Sequence, residues 1–287
     1  MSKLKLPPNP KGIRILKGAE SDLLKKLYPD PKRLPPSWRQ CITCKGTHEF
    51  KWYDRDRIEG NSFATAEYEC DCVSQWVLHR YFLYNGIGVN LQRIGWINCV
   101  SDESARRTVQ SYLMDQNLDW NVEQGTGLYM YGPKGTGKSL MASLFLRRTL
   151  SLGYSGHWTS FHEMRAAKTN DWDDQERSNW FNSKILSTSV LVIDDPGQEN
   201  KSDRSIDFSR TILDEVIRYR MSASLPTVIT SNKTPDEFRM LYGGNVDSLI
   251  QERMIQVPVP GDDYRPNMRP DSLRERELGL TRPIVIA

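Results

Sequence analysis

The stretch Leu128-Tyr-Met-Tyr-Gly132-Pro133-Lys134-Gly135-Thr136-Gly137-Lys138-Ser139-Leu-Met-Ala-Ser-Leu-Phe145 decides the fold. Its first four residues read as a short buried strand, and the residues after Ser139 open a helix. Between them GxxxxGK[ST] is matched at every fixed position. Anion binding explains the pattern. Glycines 132, 135 and 137 let backbone amides curl around a phosphate, because no side chain blocks the approach. The new helix aims its N-terminal amides at the same anion. Lys138 then reaches the outer phosphates as a point charge, and the Ser139 hydroxyl is a magnesium ligand. The expected ligands are ATP and Mg2+, with residues 132–139 as the binding loop.

Outward from this loop the rhythm alternates strand and helix. Further strands are predicted at His157–Phe161, Val190–Ile193 and Thr227–Thr230, with a helix over about 206–221. Ser160 and Glu163 have capping-box spacing for a helix after the second strand. Ser101 reads as the N-cap of a helix running to about Asp115. Continuous apolar strands alternating with helices imply an α/β fold, a parallel sheet with helices on both faces.

The strand Leu191-Val-Ile-Asp194-Asp195 ends in two carboxylates, at the edge where parallel sheets open onto their ligands. Asp194 is expected to hold magnesium, and Asp195 to orient the attacking water. The next strand ends Thr230-Ser231-Asn232, and Asn232 would lie beside the acidic pair. Downstream, a short helix ends at Arg253, the first candidate for an arginine supplied to a neighbouring subunit's nucleotide. Arg218 and Arg220 are second candidates.

Composition bounds the rest. The chain has 287 residues, 26% charged and 38% hydrophobic, which implies a soluble globular protein. No apolar run approaches the ~18 residues of a membrane span, and the start, MSKLKLPPNPKG, has no signal core. A cytoplasmic location without membrane partners is expected. The net charge of +3 hides an asymmetry: residues 1–100 hold 16 basic against 10 acidic residues, so the remainder is slightly acidic. Four cysteines cluster as Cys41-x-x-Cys44 and Cys70-x-Cys72, two close pairs that suit tetrahedral Zn2+. His48 or His79 could replace one ligand, and a redox C-x-x-C competes. Cys99 stands apart and reads as core. Aromatics interleave with basic residues at Trp38, Lys51, Trp52, Tyr53, Arg55 and Arg57, a composition that suits single-stranded nucleic acid or a small zinc-domain core. The expected division is a basic arm 1–37, a zinc-binding module 38–100, an ATPase domain 101–260 and a tail 261–287.

GPKGTGKS, LVIDD, the TSN strand end and the short helix ending ERM, in that order, resemble the AAA+ ATPases of the DnaC/DnaI/IstB group. The similarity covers about residues 85–260. It implies an AAA+ P-loop core without a C-terminal lid and an ATP-controlled replicative helicase loader. Such a loader grips single-stranded DNA and the hexameric helicase, and its ATPase domains assemble side by side. The zinc-bearing front end resembles DnaI-type loaders, bacterial or phage-encoded, where it docks on the helicase. Arg165 and Lys168, after the second strand, are implied DNA contacts. Asp195 is one methylene shorter than the Glu of many relatives, so slow hydrolysis is expected. The alternatives are an IstB-like transposition helper, a small-molecule P-loop kinase and a nucleotide-binding zinc adaptor.

Overall fold

The computed structural model describes residues 49–59, 62–69, 71–169, 175–197, 203–268 and 284–286. Packing divides the chain after Tyr84. The smaller unit holds an antiparallel hairpin, β1 (Glu49–Glu59) and β2 (Ser62–Glu69), followed by helix α1 (Asp71–Tyr84). The hairpin register shifts between Asp54 and Ile58. Cys41, Cys44, Cys70 and His48 lie outside the described residues, as does the side chain of Cys72, so the zinc expectation falls there too.

The larger unit begins at Asn85. Helix α2 (Glu103–Tyr112) is capped by Asp102, whose carboxylate accepts from the Ala105 amide at 2.9 Å. This shifts the expected cap by one residue from Ser101; either side chain can cap, and the backbone geometry selects Asp102. The chain breaks at Leu113–Met114 before α3 (Asp115–Glu123), so two helices replace the single one expected. Then come β3 (Gly127–Tyr131), α4 (Lys138–Ser151), β4 (Gly156–Ser160), α5 (Phe161–Thr169), α6 (Gln175–Trp180) and a wider π-turn segment, Phe181–Leu186. Next are β5 (Val190–Asp194), α7 (Asp203–Ser222), β6 (Thr227–Ser231), α8 (Pro235–Tyr242), α9 (Gly244–Arg253) and β7 (Met254–Pro258). The box at Ser160 and Glu163 forms as the spacing predicts: each residue's side chain accepts the other's backbone amide, at 3.0 and 3.1 Å.

Five strands form one parallel sheet in the order β4-β5-β6-β3-β7. Side chains alternate faces along each strand. Tyr129, Leu191, Ile193 and Ile229 pack with Phe161, Ile185, Leu213, Ile217, Phe238 and Ile250 from the elements around α7. The opposite set, Leu128, Met130, Val192 and Val228, faces the layer of α4, whose Met141, Leu144 and Phe145 are wholly buried. Each such side chain contributes roughly 1.5–3 kcal/mol by leaving water. Helices therefore cover both faces, as expected of an α/β fold. At one edge the Trp158 amide donates to Asn85 O at 2.9 Å, which covers the free side of β4. Cys99 is buried, as the sequence suggests. Among the described residues no helix is long and apolar enough to cross a membrane.

Candidate nucleotide-binding site

The loop 132–137 leaves β3 at the carboxyl end of the sheet and turns into α4. Gly135 and Gly137 adopt φ of 76° and 95°, conformations other residues reach only with strain. Space excludes side chains there as well. A Cβ on Gly135 would come within 1.7 Å of Asp263 Oδ1, and one on Gly137 within 1.9 Å of Ser101 Oγ. The segment after β7 therefore lies against the outside of the loop, and the Tyr264 amide donates to Gly135 O at 3.2 Å.

Lys138 is 6% exposed. Its ammonium donates to Gly132 O at 2.8 Å and Pro133 O at 2.5 Å. Burial pulls its pKa down to about 8, and Asp195 and Asp194 draw it back upward. A lysine held by two carbonyls of its own loop can exchange them for phosphate oxygens.

The acidic pair sits opposite. Ser139 Oγ donates to Asp194 Oδ1 at 2.8 Å, and Thr230 Oγ1 donates to the same oxygen at 2.5 Å. Burial raises the Asp194 pKa, and these two hydrogen bonds oppose the rise. Asp195 turns the chain out of β5 at φ 56°, an uncommon value for a residue with a side chain. Burial, and then the neighbouring Asp194, raise its pKa. Asn232 Nδ2 donates to Asp195 Oδ1 at 2.6 Å. Thus Lys138, Ser139, Asp194, Asp195 and Asn232 converge at one end of the sheet. The hard oxygen donors of Ser139 and Asp194, side by side, suit Mg2+.

The arginines separate. Arg253 lies at the exposed end of α9 and pairs with its neighbour Glu252 at 3.2 Å. Arg218 pairs with Asp214 at 2.8 Å. Arg220 is wholly buried. It donates to Thr227 Oγ1 and to the carbonyls of Ile185, Leu186, Thr188, Ser189 and Pro226. A guanidinium so enclosed cannot reach a neighbouring subunit, which corrects its candidacy. Lys168 pairs with Glu215 at 3.5 Å and lies over the Phe181 ring, while Arg165 lies over Phe208.

Two participants are missed by sequence reasoning. Thr230 stands in the quoted strand end, but nothing in the pattern separates it from Ser231. Arg265 lies in the segment read as tail, yet its charge acts on Lys138, Asp194 and Asp195. No spacing rule announces that approach.

No protein-family model matches the chain. It is similar to the replicative helicase loader DnaI of Bacillus subtilis (strain 168), 29% identical over 160 residues, which are 55% of this chain and 49% of that protein. The chain thus spans about half the length of that curated relative. Its fold matches the crystal structure of the DnaC helicase loader with a TM-score of 0.52 at 21% identity, over 60% of this chain and 99% of that one. It also matches the crystal structure of a DNA replication initiation factor with a TM-score of 0.50 at 16% identity, over 65% and 55% of the two chains. The parallel sheet and the phosphate loop have the AAA+ P-loop fold, and over about half its length the chain is similar in sequence to a DnaI helicase loader.

Proposed function

We propose that this chain is an ATP-dependent replicative helicase loader that binds single-stranded DNA and delivers a hexameric helicase during replication initiation. The observation that carries the reading is the 2.8 Å bond joining Ser139 of the phosphate loop to Asp194 of the acidic strand, in a chain similar to a loader. In this reading the amides of Gly132 to Ser139, including Pro133, Lys134 and Thr136 by their backbone, wrap the phosphates. Lys138 neutralises the outer ones. Ser139 and Asp194 hold Mg2+, which when bound screens the phosphate charge. Asp195, oriented by Asn232, aligns the attacking water, and Arg253 reaches the nucleotide of a neighbouring copy. Turnover is slow, so ATP serves mainly as a switch.

The basic front end supplies the other grips. Cys41, Cys44, Cys70 and Cys72 hold structural Zn2+ in the module that docks on the helicase, and the basic and aromatic residues around them follow single-stranded DNA. The protein works in the cytoplasm. The test is capture of the cell's replicative helicase with and without ATP, followed by a DNA-loading assay. ATP-dependent capture and faster loading are expected, whereas no interaction with that helicase refutes the reading. DNA affinity should fall steeply with salt as counterions are released. Elemental analysis should find one zinc per chain.

A further inference from the structure

We propose that Thr230 is a positioning residue of the hydrolytic site: its one hydroxyl holds the metal-binding Asp194 and the water-orienting Asp195 in a common register. This deepens the nucleotide-site reading above and rests on it.

Thr230 is the penultimate residue of β6, the strand between β5 and β3. It pairs in register with Asp194 on one side and Met130, two residues before the phosphate loop, on the other. It is 1% exposed, so water does not compete for its hydroxyl. That hydroxyl makes two bonds with fixed polarity. It donates to Asp194 Oδ1 at 2.5 Å, and it accepts from the Asp195 amide at 3.2 Å. An ionised carboxylate only accepts and an amide N–H only donates, so one hydroxyl with one proton and free lone pairs satisfies both. The Asp195 amide also reaches Thr230 O at 3.0 Å, so the amide is shared between two acceptors of one residue.

Two consequences follow. First, Asp195 turns at φ 56°, a conformation non-glycine residues keep only where surrounding bonds hold them. Thr230 holds the amide at that turn and so helps aim the Asp195 carboxylate. Second, Asp194 Oδ1 receives Ser139 and Thr230 together. Ser139 is the residue assigned to the metal. Thr230 is the donor that steadies Asp194 without itself being a metal ligand. Asn232 donates to the Asp195 carboxylate rather than to the Asp195 amide, so its role is separate.

The experiment compares wild type with Thr230→Val, Thr230→Ser and Thr230→Ala. Valine keeps the branched shape a strand favours and removes the hydroxyl. The readouts are nucleotide affinity in EDTA, nucleotide affinity against Mg2+ concentration, turnover and melting temperature. For Thr230→Val, affinity in EDTA should stay within about twofold, because the lysine and loop amides are untouched. The Mg2+ needed for half-maximal binding and turnover should rise about tenfold or more, as expected from losing a hydrogen bond to a buried charge. Thr230→Ser should restore both. If valine lowers the melting temperature strongly, Thr230→Ala supplies the second comparison and should show the same Mg2+ shift. Wild-type Mg2+ dependence in both hydroxyl-free variants overturns the role of Thr230 alone. A wild-type chain that binds no nucleotide, or a Lys138→Ala variant that still binds it, overturns the underlying site as well.

Discussion

Two buried cations stand at opposite ends of the same sheet and have opposite destinies. Arg220 sits at the amino ends of β5 and β6, Lys138 at the carboxyl end of β3. Both are bonded to main-chain carbonyls. The guanidinium spends its planar fork of donors on five carbonyls and one hydroxyl, at 2.8 to 3.3 Å. The ammonium holds two carbonyls of its own loop, with two carboxylates nearby. Burial lowers both pKa values, to about 9 and about 8. The saturated cation is a cross-link; the under-coordinated one is, in the proposed function, a receptor for phosphate. Charge and burial alone do not distinguish them, but the number and ownership of the acceptors do.

The contrast breaks if either residue behaves like the other. The largest effect should come from Arg220→Met, which strands several buried carbonyls. A stability loss of about 3–5 kcal/mol is expected in denaturant unfolding, with nucleotide affinity of the folded fraction unchanged. Lys138→Ala should do the reverse. Nucleotide affinity should fall about 100-fold or more by titration calorimetry, roughly 3 kcal/mol, with little change in unfolding midpoint.

A third buried basic group sharpens the comparison. His157 is 6% exposed, its Nδ1 has no partner, and burial pushes its pKa down to about 3, assisted by Lys184. The folded state therefore excludes a proton that the unfolded chain takes up below pH 6.5. Stability should fall as pH drops through 6.5 toward 3, by up to about 1.4 kcal/mol per unit. His157→Phe should remove that part of the loss, about 2 kcal/mol relative to wild type at pH 5. An unchanged difference between pH 7 and 5 would mean that the imidazole protonates in place.

The smallest effect concerns the approach to the phosphate loop. Asp102 caps α2 one residue after Ser101, which lies against Gly137. Asp102→Ala should lower stability by about 1 kcal/mol. It should weaken nucleotide binding only slightly if the cap positions Ser101. Unaltered affinity would assign the cap to the helix alone.

How far the sequence carries varies along the chain. The glycine spacing and the carboxylates of Asp194 and Asp195 are legible because phosphate and metal chemistry demand few residue types at tight spacing. The strand Met254–Pro258 is missed because it lies at the sheet edge: only Met254 and Val257 are buried, and the run lacks the continuous apolar signature of the inner strands. Arg220 misleads because an arginine in a helix reads as surface, whereas the chain folds carbonyls around it. Ser101 and Asp102 are equally good caps on paper, and the turn geometry chooses between them.

By itself the sequence determined the loop between β3 and α4 and the alternation of strands and helices, since both are local properties of spacing and periodicity. Only the tertiary structure decided that β6 lies between β3 and β5, and so which side chain stands beside the carboxylates. Strand order is a choice among long-range pairings with the same local signature, so no local pattern records it. That order places Thr230 against Asp194. The path of the segment after β7 brings Arg265 into the field of the acidic pair, through contacts between residues more than a hundred positions apart in the chain.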